Sequence, residues 1–102
     1  NIHNLVKRAI KNRKGKKITV EVDNLNQLNS IIGLKFNRVL FDNMKLESLR
    51  KAVKISKRFY ETEASGGVTL SNVRKIAATG VKRISIGQIT HSAPNIDFRL
   101  SF

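Results

Sequence analysis

Acidic residues are scarce in this chain, seven against twenty lysines and arginines, and three of them are evenly spaced. Glu21, Asp42 and Glu63 stand 21 positions apart, each within or at the end of a strand-like run. In a parallel α/β fold the chemistry gathers at the C-terminal edge of the sheet. A repeat held in register brings the three carboxylates to one rim. Carboxylates so placed repel, and a divalent cation, a set of sugar hydroxyls or a basic partner must offset them. The competing assignment is that Glu21 and Asp42 cap the helices that follow. It suits Asp42, which shortly precedes a helical pattern, better than Glu21, which sits inside an otherwise apolar strand.

Ser65-Gly66-Gly67 follows the third strand-like run directly. Glycines there allow positive φ and close approach of the backbone to a ligand. Free amides near a helix start, with the Ser65 hydroxyl, make an anion site. The fourth run ends in Ser85-Ile86-Gly87, and Gly87, Gln88 and Ile89 form a second candidate loop. Two adjacent loops of this kind are the usual phosphate site of a βα barrel. Turns alone would also explain the glycines. His91 follows the second loop and is assigned a structural role. No His, Asp and Glu cluster has zinc spacing, and neither a Ser-His-Asp set nor a P-loop is present.

The elements that must position these residues alternate. Ile2–Arg13 carries a helical apolar stripe. Strands are expected near 18–22, 38–42, 60–64 and 83–86, rich in β-branched residues. Helices are expected between them. The first is capped by Asp23 or Asn24, the second covers Lys45–Arg58, and the third is capped by Thr69 and carries Leu70, Val73, Ile76 and Ala77. Strands joined by helices pair in parallel through right-handed crossovers. The spacing fits a closed (β/α) barrel or an open doubly wound sheet. Ile96–Phe102 alternates apolar and polar residues, as a last short strand or an extended clamp would.

Composition sets outer limits. The chain has 102 residues, 40% of them hydrophobic, against roughly 250 for a whole (β/α) barrel. It holds no cysteine, which excludes disulfides and thiolate metal sites and suits a cytoplasmic setting. No apolar run is long enough to span a membrane. The formal net charge is +13. That favours anionic partners, but no aromatic residues are interleaved with the basic ones for base stacking, so most of the charge is read as solvated surface.

The motifs together resemble the quinolinate phosphoribosyltransferases, also called nicotinate-nucleotide pyrophosphorylases (carboxylating). The resemblance rests on Glu21-Val22-Asp23-Asn24-Leu25, Leu40-Phe41-Asp42-Asn43-Met44 and Glu63-Ala64-Ser65-Gly66-Gly67-Val68. It continues through Thr79-Gly80-Val81, Ile86-Gly87, Thr90-His91-Ser92-Ala93-Pro94 and Ile96-Asp97-Phe98-Arg99-Leu100. It covers roughly residues 16 to 102, and the opening helix is similar to the one before that region.

The resemblance implies an α/β fold, the C-terminal portion of a TIM-like (β/α) barrel. Residues 1–102 would then be a partial barrel without the N-terminal domain and the first barrel strands. It implies phosphoribosyl transfer from phosphoribosyl pyrophosphate to quinolinate, with decarboxylation, in NAD biosynthesis. Glu21 and Asp42 would be the catalytic acids, holding ribose hydroxyls and Mg²⁺. Ser65, Gly66, Gly67, Gly87, Gln88 and Ile89 would bind the phosphate. The family's dicarboxylate pocket is built from upstream residues, so this portion alone is expected to be inactive. A homodimer or higher homo-oligomer is expected, with no membrane or nucleic-acid partner. The alternatives are another phosphate-binding βα-barrel enzyme and a basic nucleic-acid-binding module, which rests on charge alone.

Overall fold

A computed structural model describes residues 1–90 and 93–101; for 87–101 it describes the backbone course only. His91 lies outside the described residues. The order is α1 (Ile2–Lys11), β1 (Thr19–Val22), α2 (Leu25–Ile31), β2 (Arg38–Asp42), α3 (Leu46–Ser56), β3 (Glu61–Ser65), α4 (Val73–Ala77), β4 (Arg83–Thr90) and β5 (Ala93–Ser101). The first four strands pair in parallel in sequence order, and β5 closes the sheet antiparallel to β4.

Alternation along each strand divides the sheet into two unlike faces. Val20, Val22, Val39, Phe41, Ala64, Ile84 and Ile86 form the apolar face and are buried. They share one core with Leu28 and Ile31 of α2 and Leu49, Ala52 and Val53 of α3. The opposite face carries Glu21, Arg38, Leu40, Asp42, Glu61, Glu63, Ser65, Arg83 and Ser85. The register confirms that they share a side: Glu21 lies beside Leu40, Leu40 beside Glu63, Glu63 beside Arg83, and Asp42 beside Ser65.

Helix ends are set by identifiable groups. Asn24 caps α2 through its side chain, which accepts from the Gln27 amide at 2.8 Å. The other candidate, Asp23, donates its amide to Gln27 Oε1 at 2.7 Å, which leaves its carboxylate uncommitted to the cap. The third expected helix is shorter than its pattern implied. Asn72, not Thr69, occupies the N-cap position of α4. The Asn72 side chain accepts from the Thr69 amide and donates to the Gly67 carbonyl, which winds 67–72 into a turn. Leu70 is therefore 75% exposed and not part of the core.

The expected loop at Gly87–Ile89 is strand. β4 continues through Thr90, with Gly87 beside Asp97 and Gln88 beside Ile96. The alternating segment after residue 92 supplies a partner for an edge that would otherwise be unpaired. Of the two forms expected for that tail, it takes the strand.

Tyr60, at the entry to β3, locks the end of α2. Its ring stacks on Phe36 with centroids 3.8 Å apart. Its hydroxyl accepts from the Gly33 amide at 3.1 Å and lies 2.6 Å from the Leu34 carbonyl, to which it donates. Burial raises the Tyr60 pKa above its usual phenolic value, against the lowering effect of the Gly33 amide. Tyr60→Phe keeps the stack and strands these backbone groups. The expected cost is about 1–3 kcal/mol, read from a shift in urea midpoint at constant slope.

Candidate active site

The C-terminal ends of β1, β2 and β3 form one rim. Carboxylate oxygens of Glu21, Asp23 and Asp42 all lie within 4.8 Å of one another. The predicted pair of Glu21 and Asp42 is thus brought together, and Asp23 joins it. Asp23 stands two positions after Glu21, which is the spacing that returns a side chain to the same face. That signal is present in the sequence, where the position of Asp23 before a helical pattern also suits a cap. The capping assignment for Asp42 does not hold, since the N-cap position of α3 is Lys45.

Glu63 is the member of the evenly spaced trio that does not join the carboxylate cluster. It sits one layer below Asp42, in the row of Glu21 and Leu40, and is 4% exposed. Its Oε2 accepts from Ser85 Oγ at 3.1 Å and its Oε1 lies 3.7 Å from Arg38 Nη1. Equal spacing did not give equal height: Val20 pairs with Val39, but Val39 pairs with Thr62, so Asp42 stands one layer above both Glu21 and Glu63, and the Glu63 side chain is held by Ser85 and Arg38 instead.

Arg38 also binds Glu61, with Nη2 at 2.8 Å and Nε at 3.2 Å from Oε2. Arg83 Nη1 lies 3.9 Å from the same oxygen. The polar face below the rim is therefore an ionic layer. Glu61 is held below its ordinary carboxylate pKa chiefly by the Arg38 hydrogen bond; partial desolvation opposes this, and the charges of Arg38, Arg83 and Lys82 reinforce it.

Ser65, Gly66 and Gly67 follow β3 as expected. The Ser65 carbonyl accepts from the Asn43 amide at 2.8 Å, which ties the ends of β2 and β3 together. Gly66 and Gly67 have φ of +74° and +68°. A Cβ on Gly66 would fall 2.6 Å from Asp42 Oδ1 and 3.0 Å from the Asn43 amide nitrogen, and one on Gly67 would fall 2.7 Å from Asn43 Oδ1. These glycines are thus required by the close approach of the β2 end, whatever else they contact. A cavity of about 340 Å³ beside them is lined by Asn43, Met44, Leu46, Asn72, Lys75 and Ile76. It opens between the loops that follow β2 and β3.

Together, the helix-backed parallel sheet and its acidic, glycine-bearing rim define a portion of a (β/α) barrel with its polar groups at the strand C-termini. A family model described as "Quinolinate phosphoribosyl transferase, C-terminal domain" matches residues 1–101. A probable nicotinate-nucleotide pyrophosphorylase [carboxylating] of Bacillus subtilis is 35% identical over 81% of the chain and 29% of its own length. One of Methanocaldococcus jannaschii is 35% identical over 93% of the chain and 38% of its own. The solved nicotinate-nucleotide pyrophosphorylase from Francisella tularensis superposes with a TM-score of 0.71 at 36% identity, over 78% of this chain and 29% of that one. The chain belongs to the quinolinate phosphoribosyl transferase family and matches its C-terminal domain. It spans about a third of the length of these curated relatives.

Two outcomes follow from this geometry. Because the folded pKa of Glu61 is depressed, the stability it contributes is complete above its unfolded value and is lost as pH falls through the folded one. Urea midpoints measured down that acid limb should fall less steeply in Arg38→Met than in the parent. Gly66→Ala should cost roughly 1–2 kcal/mol from the left-handed backbone alone and should also push the Asp42 carboxylate from its place. A thermal midpoint equal to the parent's would show that the turn relaxes freely.

Proposed function

We propose that the whole protein transfers the phosphoribosyl group of phosphoribosyl pyrophosphate to quinolinate, releasing pyrophosphate and CO₂ and leaving nicotinate mononucleotide. The observation that carries this reading is the carboxylate trio Glu21, Asp23 and Asp42, gathered within 4.8 Å on the rim of a chain that belongs to this family. Anomeric transfer develops positive charge on the ribose ring. Fixed carboxylates stabilise that charge, and they also accept hydrogen bonds from ribose hydroxyls. Glu21 and Asp42 are the acids assigned to this role, with Asp23 as the third.

The trio also fits Mg²⁺. Its donors are carboxylate oxygens alone, the hard ligands this ion prefers, and Glu21 and Asp23 are exposed enough for it to keep bound waters. Bound there, the ion would offset the charge of the pyrophosphate leaving group.

Ser65, Gly66 and Gly67 are assigned to the ribose 5-phosphate through the Ser65 hydroxyl and backbone amides, and the backbone of Gly87, Gln88 and Ile89 is assigned to the same anion. A phosphate held away from the reacting carbon supplies binding energy that orients that carbon. Assembly as a homodimer or higher homo-oligomer and a cytoplasmic location belong to the same proposal, supported by family membership alone. No helix among the described residues is long and apolar enough to cross a membrane.

The test is Asp42→Ala in the whole protein. Loss of one preorganised charged group at the developing cation should lower kcat/KM by about 100- to 1000-fold, with the far-UV spectrum unchanged. Steady-state pyrophosphate release measures the effect. A variant that turns over at the parent rate would end the assignment of this rim as the reaction centre.

A further inference from the structure

Glu63 is a buried acid that the reaction as proposed does not use. Among the described residues its carboxylate joins two other strands. One oxygen accepts from Ser85 on β4 at 3.1 Å, and the other faces the Arg38 guanidinium of β2 at 3.7 Å. Arg38 is itself held by Glu61, two residues before Glu63 on β3. The group is one rung below the rim. A strand rises about 3.3 Å per residue, so two residues further on the same face is about 7 Å higher.

What lies at that height is the proposed site. Ser65 follows Glu63 by two residues on β3 and Asp42 follows Arg38 by four on β2, which puts both at that height, and Gly87 follows Ser85 by two on β4, one layer higher. Side chains two or four apart on a strand share a face. The three strands joined by Glu63 are therefore the three whose ends carry Asp42, the Ser65–Gly67 turn and the Gly87 segment. β3 and β4 are otherwise paired through only Glu63–Arg83 and Ala64–Ile84, so a side-chain tie at this height adds to a short ladder.

We propose that Glu63 is a positioning residue. By binding Ser85 and Arg38 across the polar face, it sets the spacing between the rim carboxylates and the phosphate-binding strand ends. The inference rests on the phosphoribosyl-transfer reading. Glu63 touches neither substrate; it acts through the strands it joins. A buried carboxylate is costly unless paired and hydrogen-bonded, and Glu63 is both. A residue whose only task was to fill space at this depth would be apolar, as Leu40 beside it is.

The experiment compares the whole wild-type protein with Glu63→Gln, Ser85→Ala and the double variant. It reads kcat/KM for phosphoribosyl pyrophosphate together with the thermal midpoint. Glutamine keeps the size of Glu63 and an acceptor for Ser85 but removes the charge that faces Arg38. Displacement of the strand ends by an ångström or less should lower kcat/KM by roughly 10- to 100-fold in Glu63→Gln. Ser85→Ala, which removes one hydroxyl and threatens the fold least, should lower it by a smaller factor. The double variant should be no worse than Glu63→Gln alone, because both changes break the same tie.

Wild-type kcat/KM in Ser85→Ala would overturn the proposal even if Glu63→Gln failed to fold. So would a fall in thermal midpoint with kcat/KM unchanged, or factors that multiply in the double variant. If the wild-type protein itself does not turn over the two substrates, the functional reading falls and this inference with it. If it does and Glu63→Gln matches it, only the role of Glu63 is lost.

Discussion

The parallel register between β1, β2, β3 and β4 is the constraint on which the rest depends. Lateral partners in a parallel sheet face the same side, so the pairing of Glu21 with Leu40, Leu40 with Glu63 and Glu63 with Arg83 puts one polar row across four strands. The register is held from the other side. Val20, Val22, Val39, Phe41, Ala64, Ile84 and Ile86 are buried, and a slip of one residue in any strand would turn its apolar set outward. The apolar face thus enforces the geometry of the polar one.

Along the polar face, charge is treated in two ways. Two acids have cationic partners: Glu61 meets Arg38 and Arg83, and Glu63 meets Arg38. At the rim, Glu21, Asp23 and Asp42 lie near one another, with no cation in the ion pairs found among the described residues. Like charges gathered in this way lower stability unless a ligand or ion offsets them. The paired acids are therefore built as structure, and the clustered ones are suited to receive something. The turn at Gly66 and Gly67 adds to that arrangement by letting the end of β3 pass within contact distance of Asp42 and Asn43.

The net charge of +13 is not spread evenly around this frame. Lys14, Lys16, Lys17, Lys35, Lys57, Arg58 and Lys82 are exposed in the segments that lead into the strands. Those segments lie at the sheet edge opposite the carboxylates. The carboxylate trio is thus spared direct pairing with these seven cations, while the net positive field remains available to draw in polyanionic substrates.

Much of this was legible in the residue order. Runs rich in β-branched residues located the parallel strands, and the stripes and caps located the helices, because both signals depend on neighbours along the chain. The proximity of Glu21 and Asp42 was expected as well, although Asp42 stands one layer above Glu21, whose lateral neighbour is Leu40. What the tertiary structure alone decided was the height of each strand against the next. The β1-to-β2 step is shorter than the spacing of the acids and the β2-to-β3 step is longer, so Asp42 stands one layer above both Glu21 and Glu63, and Asp23 takes the third place in the cluster. Even spacing along a chain cannot reveal this, because loop lengths absorb residues without changing the sheet. The same holds for Gly66. Its sequence context pointed to a ligand, but the requirement for glycine comes from an Asp42 oxygen 24 positions earlier, and only the packed strands bring the two together.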